Sequence, residues 1–151
     1  MSNLANKAVV LPLPGQANTS MDLRDFIALC EKTGNLKRIK AEVDWDLEIS
    51  HICKLVEEKS GPALLFENVK GYKSPVLTGA FGTTQRLAMI LGKDPSLSMV
   101  ELTKEWVNLA VKEVIPAKEL PDGPIFENIV DGDKIDTFAF PSPKFYELDG
   151  G

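Results

Sequence analysis

Two short apolar runs separated by one tight turn constrain this chain more than anything else in it. The first is Pro62-Ala-Leu-Leu-Phe-Glu-Asn-Val69; the second is Pro75-Val-Leu-Thr-Gly-Ala-Phe81; between them stands Lys70-Gly71-Tyr72. Pro62 to Val69 reads as an apolar strand and Pro75 to Phe81 as the next. The short connection predicts that the two runs pair as a hairpin.

The helices can be read from their periodicity. Leu23, Phe26, Ile27 and Cys30 share one face of a helix over 22–33, with Asp22 as its cap and Gly34 just past its end. Leu36 to Val43 then alternates with period two, as a half-buried or edge strand does. A second helix over 47–59 carries Ile49, Ile52, Cys53 and Val56 on one stripe, is capped by Asp46, and stops at Gly61-Pro62. A third runs from Gln85 to Leu91, opened by Gly82-Thr83-Thr84 and closed by Gly92. Ser98 and Glu101 form a capping box that starts the longest helix, to about Lys112. Its stripe of Met99, Leu102, Trp106 and Leu109 makes Trp106 a core anchor.

Residues 1–20 are expected to be a flexible arm, 21–115 an α/β domain, and 116–151 a linker and strand. The strand is placed at 125–130 because Gly123-Pro124-Ile-Phe126-Glu127-Asn128 echoes Gly61-Pro62 with Phe66-Glu67-Asn68. The echo is too short to be a structural repeat. The expected fold is therefore α/β, a small mixed sheet of about four strands (near 36–43, 63–69, 75–81 and 125–130) flanked by about four helices. The chain closes on Asp149-Gly150-Gly151, turn chemistry with no element after it. This is expected of the front part of something larger.

Composition narrows the partners. Seventeen basic against 22 acidic residues leave a net charge of −5, and Lys37-Arg38-x-Lys40 is the tightest basic cluster, so nucleic acid is not an expected partner. No run approaches the ~20 apolar residues of a membrane span, and Pro12 and Pro14 interrupt Ala8-Val-Val-Leu11, the nearest thing to a signal sequence. Cys30 and Cys53 form neither a C-x-x-C nor a zinc set with the single histidine, and are read as buried free thiols of a cytoplasmic protein.

Three features bear on chemistry. Glu42, Asp44, Asp46 and Glu48 fall at alternate positions, which as an extended run would offer a hard metal one carboxylate face. As helix-capping and solvated groups they need no metal, and that is the stronger account. His51, the sole histidine, lies off the apolar stripe of its helix with no nucleophile near it in sequence. Gly79-x-x-Gly82-Thr-Thr followed by Arg86 has the form of an anion cradle between strand and helix. It matches no established phosphate motif, and a glycine kink with a threonine cap accounts for the same residues. No residue is assigned a catalytic, cofactor-binding or metal-binding role.

Taken in order, Leu23-Arg-Asp-Phe-Ile, Gly34-Asn-Leu-Lys-Arg-Ile, Glu42-Val-Asp-Trp-Asp-Leu-Glu-Ile, Gly61-Pro-Ala-Leu-Leu-Phe-Glu-Asn-Val-Lys-Gly, Phe81-Gly-Thr, Arg86-Leu-Ala, Leu91-Gly, Glu127-Asn-Ile and Phe140-Pro-Ser-Pro with Asp149-Gly-Gly resemble the N-terminal part of the UbiD family of decarboxylases and carboxylases. The resemblance covers about Met21 to Gly151. Its flavour is that of the carboxy-lyases of phenolic and other aromatic acids. It implies a complete enzyme that uses prenylated flavin mononucleotide, a divalent metal (Mn or Mg) and potassium to add or remove CO₂ at unsaturated carbon, the flavin acting as electron sink. It also implies flavin-binding and oligomerisation domains as partners and a homo-oligomer when complete. The family's proton-transfer and metal-binding residues lie in the flavin domain, so none is carried over here.

Three readings follow. The chain is the N-terminal, non-catalytic domain of such an enzyme, inactive alone; or a stand-alone small subunit docking onto a catalytic partner; or, most weakly, a small anion-binding module built on Gly79–Arg86. The first predicts that Phe138, Phe140, Phe145 and Tyr146 stand exposed in the isolated chain.

Overall fold

The computed structural model describes residues 21–112, 119, 121, 123 and 126–149. Four helices, α1 (Leu23–Lys32), α2 (Glu48–Glu57), α3 (Thr84–Ile90) and α4 (Met99–Lys112), accompany three strands, β1 (Leu36–Ile39), β2 (Ala63–Phe66) and β3 (Val76–Thr78). The sheet order is β1-β2-β3. β1 and β2 run parallel, Leu36 opposite Ala63 through Ile39 opposite Phe66, with α2 as the crossover. β2 and β3 form the expected antiparallel hairpin. The fold is thus a small mixed α/β unit.

Alternation along the strands sorts the core into two clusters. Leu64 and Phe66 meet Ile49 and Cys53 of α2, joined by Val43 and Val69. Phe26 and Cys30 of α1 meet Met89 of α3, with Leu36 and Leu77 packed against them. β2 is buried at all four positions, as its uninterrupted apolar run requires. Phe66 is wholly enclosed, a burial worth about 1.5–3 kcal/mol by transfer.

Helix ends follow the residue chemistry. Asp22 caps α1 in a full capping box with Asp25. Gly34, at φ 74, lets its own amide reach Glu31 O and that of Asn35 reach Cys30 O, which satisfies the last carbonyls of α1. Gly92 ends α3 in the same way, with Lys93 N donating to Ala88 O at 2.8 Å. Ser98 and Glu101 form the predicted box at α4.

Four expectations need correction. The first strand stops at Ile39; beyond it the ladder survives as one isolated bridge between Val43 and Val69. Of 125–130, the described residues 126–130 form no strand, and Phe126 stands exposed. The sheet ends at β3, and the Gly-Pro and Phe-Glu-Asn echo has no neighbouring strand among the described residues to pair with. Asp46 does not cap α2. That position falls to Leu47, held at φ 68 with no side-chain bond, because Asp46 is turned toward Lys144. Trp106 is 54% exposed and is no core anchor. α4 packs on α3 along one edge, where Leu102 is buried and Lys93 pairs with Glu105 at 3.0 Å, and that edge does not extend round to Trp106. The expected arm at 1–20 and most of the linker at 116–124 lie outside the described residues.

Candidate functional site

The strand-to-helix turn after β3 is the place where the sequence offered a binding geometry. Gly79 sits at φ 69, a conformation open to glycine at little cost, and its carbonyl accepts from Gly82 N at 3.1 Å. Thr83 caps α3, its hydroxyl accepting from Arg86 N at 3.3 Å. Arg86 itself is 1% exposed. Its Nε donates to Gly79 O and its Nη1 to Gly61 O, each at 2.9 Å. Burial pushes its pKa down, so the protein keeps a cation here at a desolvation cost. A Cβ on Gly82 would stand 2.9 Å from Arg86 Nη2, so glycine is what lets the turn close over the guanidinium.

This geometry is a clamp. Arg86 ties the end of β3 to the entrance of β2, with two of its five N–H donors on main-chain carbonyls. The open cleft beside it, about 360 Å³, is lined by Glu57, Gly79, Ala80, Phe81 and Gly82. Its charged wall is a carboxylate, which repels an anion, and α3 has only seven residues to present. The turn has the form of a cradle and the function of a structural tie.

Three of the four alternating carboxylates are also occupied. Asp44 accepts from Lys70 Nζ at 2.7 Å and from Asp46 N at 3.0 Å, and both contacts hold its carboxyl below the ordinary range, the lysine most. Glu48 reaches back to Asp44 N at 2.6 Å, and Asp46 pairs with Lys144 at 3.5 Å. The bent backbone does not bring the four to one face. Among the described residues no three His, Cys, Asp or Glu side chains stand together to hold a metal ion. These residues do not fit a flavin phosphate or its bridging metal, and no chemical step is derived through either.

His51 is exposed. Cys30 and Cys53 are buried free thiols whose pKa values burial raises, the state of inert packing groups. Cys53 Sγ donates to Thr78 Oγ1 at 3.0 Å.

What remains is surface. Phe138, Phe140, Phe145 and Tyr146 are 75%, 70%, 46% and 76% exposed, as expected for a chain with a partner beside them. The segment they occupy meets the domain at Lys144, whose N donates to Trp45 O at 3.0 Å and which pairs in parallel with Asp46. The acids at 42–48 read locally as helix-capping and solvated groups, and nothing in their spacing points to a partner at Lys144. No helix among the described residues is long and apolar enough to cross a membrane.

Comparison with known proteins matches this architecture. Residues 27–106 match the family described as the 3-octaprenyl-4-hydroxybenzoate carboxy-lyase N-terminal domain. The open form of vanillic acid decarboxylase from Sedimentibacter hydroxybenzoicus superposes with a TM-score of 0.77 at 32% identity, over 89% of this chain and 30% of that one. An evolved dimeric form of the UbiD-class enzyme HmfF from Pelotomaculum thermopropionicum, solved in complex with prFMN, gives 0.70 at 34% identity over 84% and 29%. The chain thus spans about three-tenths of the length of these relatives. With the family match covering more than half of the chain and the fold shared throughout, the chain belongs to the UbiD family, as its N-terminal domain.

Proposed function

We propose that this chain is the non-catalytic N-terminal body of a UbiD-like carboxy-lyase that reversibly carboxylates and decarboxylates aromatic or other unsaturated acids with prenylated FMN. The observation that carries this is the exposed aromatic set Phe138, Phe140, Phe145 and Tyr146 on a domain that matches three-tenths of prFMN-class relatives. Contiguous exposed apolar surface of this kind marks an interface. On this reading the flavin-binding part covers the set, supplies the proton-transfer groups, and holds the divalent metal and potassium. The complete enzyme is a cytoplasmic homo-oligomer, in keeping with two unpaired buried thiols. The test is release of CO₂ from vanillate and related aromatic acids in the presence of prenylated FMN. The chain alone should release none, and the polypeptide in which the flavin-binding part follows it should be active; turnover by the 151 residues alone refutes the proposal.

A further inference from the structure

The fourth helix poses a separate problem. α4 is fourteen residues long, and among the described residues its attachment runs along one edge, with Leu102 buried and Glu105 paired with Lys93. Short helices are held by packing of an apolar face rather than by their own propensity. Yet Met99, Val100, Trp106 and Val107 are 52%, 66%, 54% and 52% exposed. At 100° per residue these four fall within a third of the helix circumference, so they form one outward apolar face. The first three helices show no such face.

Large exposed apolar side chains are also unevenly placed along the chain. Before Met99 they are Leu23, Leu55 and Phe81, scattered one by one. From Met99 onward they recur on α4 and then through Phe126 to Leu148. The half of the domain that buries its apolar residues precedes α4; the half that leaves them open begins with it. The relatives carry more than twice this chain's matched length again, which is the material available to cover such a surface.

We propose that the outer face of α4 is a second docking surface for the flavin-binding part of the same polypeptide, separate from the aromatic segment at 138–146. This rests on the reading given under Proposed function and deepens it. Trp106 is the anchor of the face, a large, half-exposed ring of the type enriched at interface centres. Lys104 lies at the border of the face, next to Val100 and Val107 on the helix surface.

The test compares peptide-resolved hydrogen exchange in the 151-residue chain and in the longer polypeptide. Amides of 99–112 should slow by at least tenfold in the longer polypeptide, as should those of 138–146. A Val100→Lys, Val107→Lys double variant should leave the circular dichroism and melting of the 151-residue chain unchanged while abolishing that protection of α4. If 138–146 becomes protected and 99–112 exchanges as before, the inference about α4 is overturned and the domain reading stands. If neither segment is protected, or if no longer polypeptide exists, the domain reading and this inference fall together.

Discussion

Arg86 Nη1 donates to Gly61 O at 2.9 Å, joining residues 25 apart and tying the helix opened after β3 to the point where the chain enters β2. The same guanidinium holds Gly79 O through Nε, so one buried side chain fixes both ends of the hairpin. Replacing it takes the side-chain donor from Gly61 O, leaves Gly79 O with Gly82 N alone, and opens a cavity. Arg86→Ala should lower stability by about 2–4 kcal/mol. Urea unfolding followed by circular dichroism measures this. A loss below the scatter of ordinary surface substitutions would show that the clamp carries no weight.

The end of α2 offers a paired prediction. Ser60 stands at φ 51, where a side chain is strained, and Gly61 follows it. Ser60→Gly should raise stability by roughly 0.5–1 kcal/mol, the left-handed penalty less the entropy of glycine. Gly61→Ala should lower it by about 1–3 kcal/mol, because its Cβ would stand 2.6 Å from Val56 Cγ1 and 3.0 Å from Val56 O. Melting temperatures that move in the opposite order would contradict this account of the turn.

Asp44 supplies a pH dependence. Its carboxyl is held low by Lys70 first and by the Asp46 amide second. A depressed carboxylate stabilises the fold above its unfolded pKa of about 3.9 and loses that contribution as pH falls through the folded value. Asp44→Asn should therefore unfold at lower urea than the parent at pH 7, and the two midpoints should converge as the pH falls below the depressed folded value. A gap that stays unchanged from neutral pH into strong acid would sink the assignment. Lys70 carries the mirror effect: its pKa is raised by Asp44, so its contribution is present at neutral pH and is lost only in strong alkali.

The exposed aromatic segment should behave as a surface that matters only in assembly. Phe138→Ser with Phe140→Ser should leave the melting of the 151-residue chain unchanged within about 0.5 kcal/mol, since both rings are largely in solvent. The same pair in the longer polypeptide should weaken the packing of this domain against the flavin-binding part, read as faster proteolytic release. Destabilisation of the isolated chain to the same degree would mean that the rings already serve its own core.

Much of the fold was legible from local chemistry. Asp22, Gly34, Thr83, Gly92 and Ser98 mark helix ends through short-range bonds that the sequence writes directly. The apolar run at Ala63–Phe66 reads as a strand, and the structure shows that all four residues are buried. What escaped depends on distant partners. Trp106 has a core-like stripe, yet it stands 54% exposed, which local periodicity does not reveal. Phe126-Glu127-Asn128 has strand chemistry without a strand beside it. Asp46 lost its capping role to Lys144, nearly a hundred residues away. In the candidate site the sequence supplied the residues of the Gly79–Arg86 turn, yet only the fold shows the guanidinium facing inward. A buried clamp and an open cradle share one sequence pattern.

The central claim is that this domain belongs to a flavin enzyme without holding the flavin. Calorimetric titration of the 151-residue chain with prenylated FMN tests it most directly. The account predicts no binding heat from the chain alone and stoichiometric binding by the longer polypeptide. Saturable, one-to-one binding of prenylated FMN to the 151 residues themselves would contradict it.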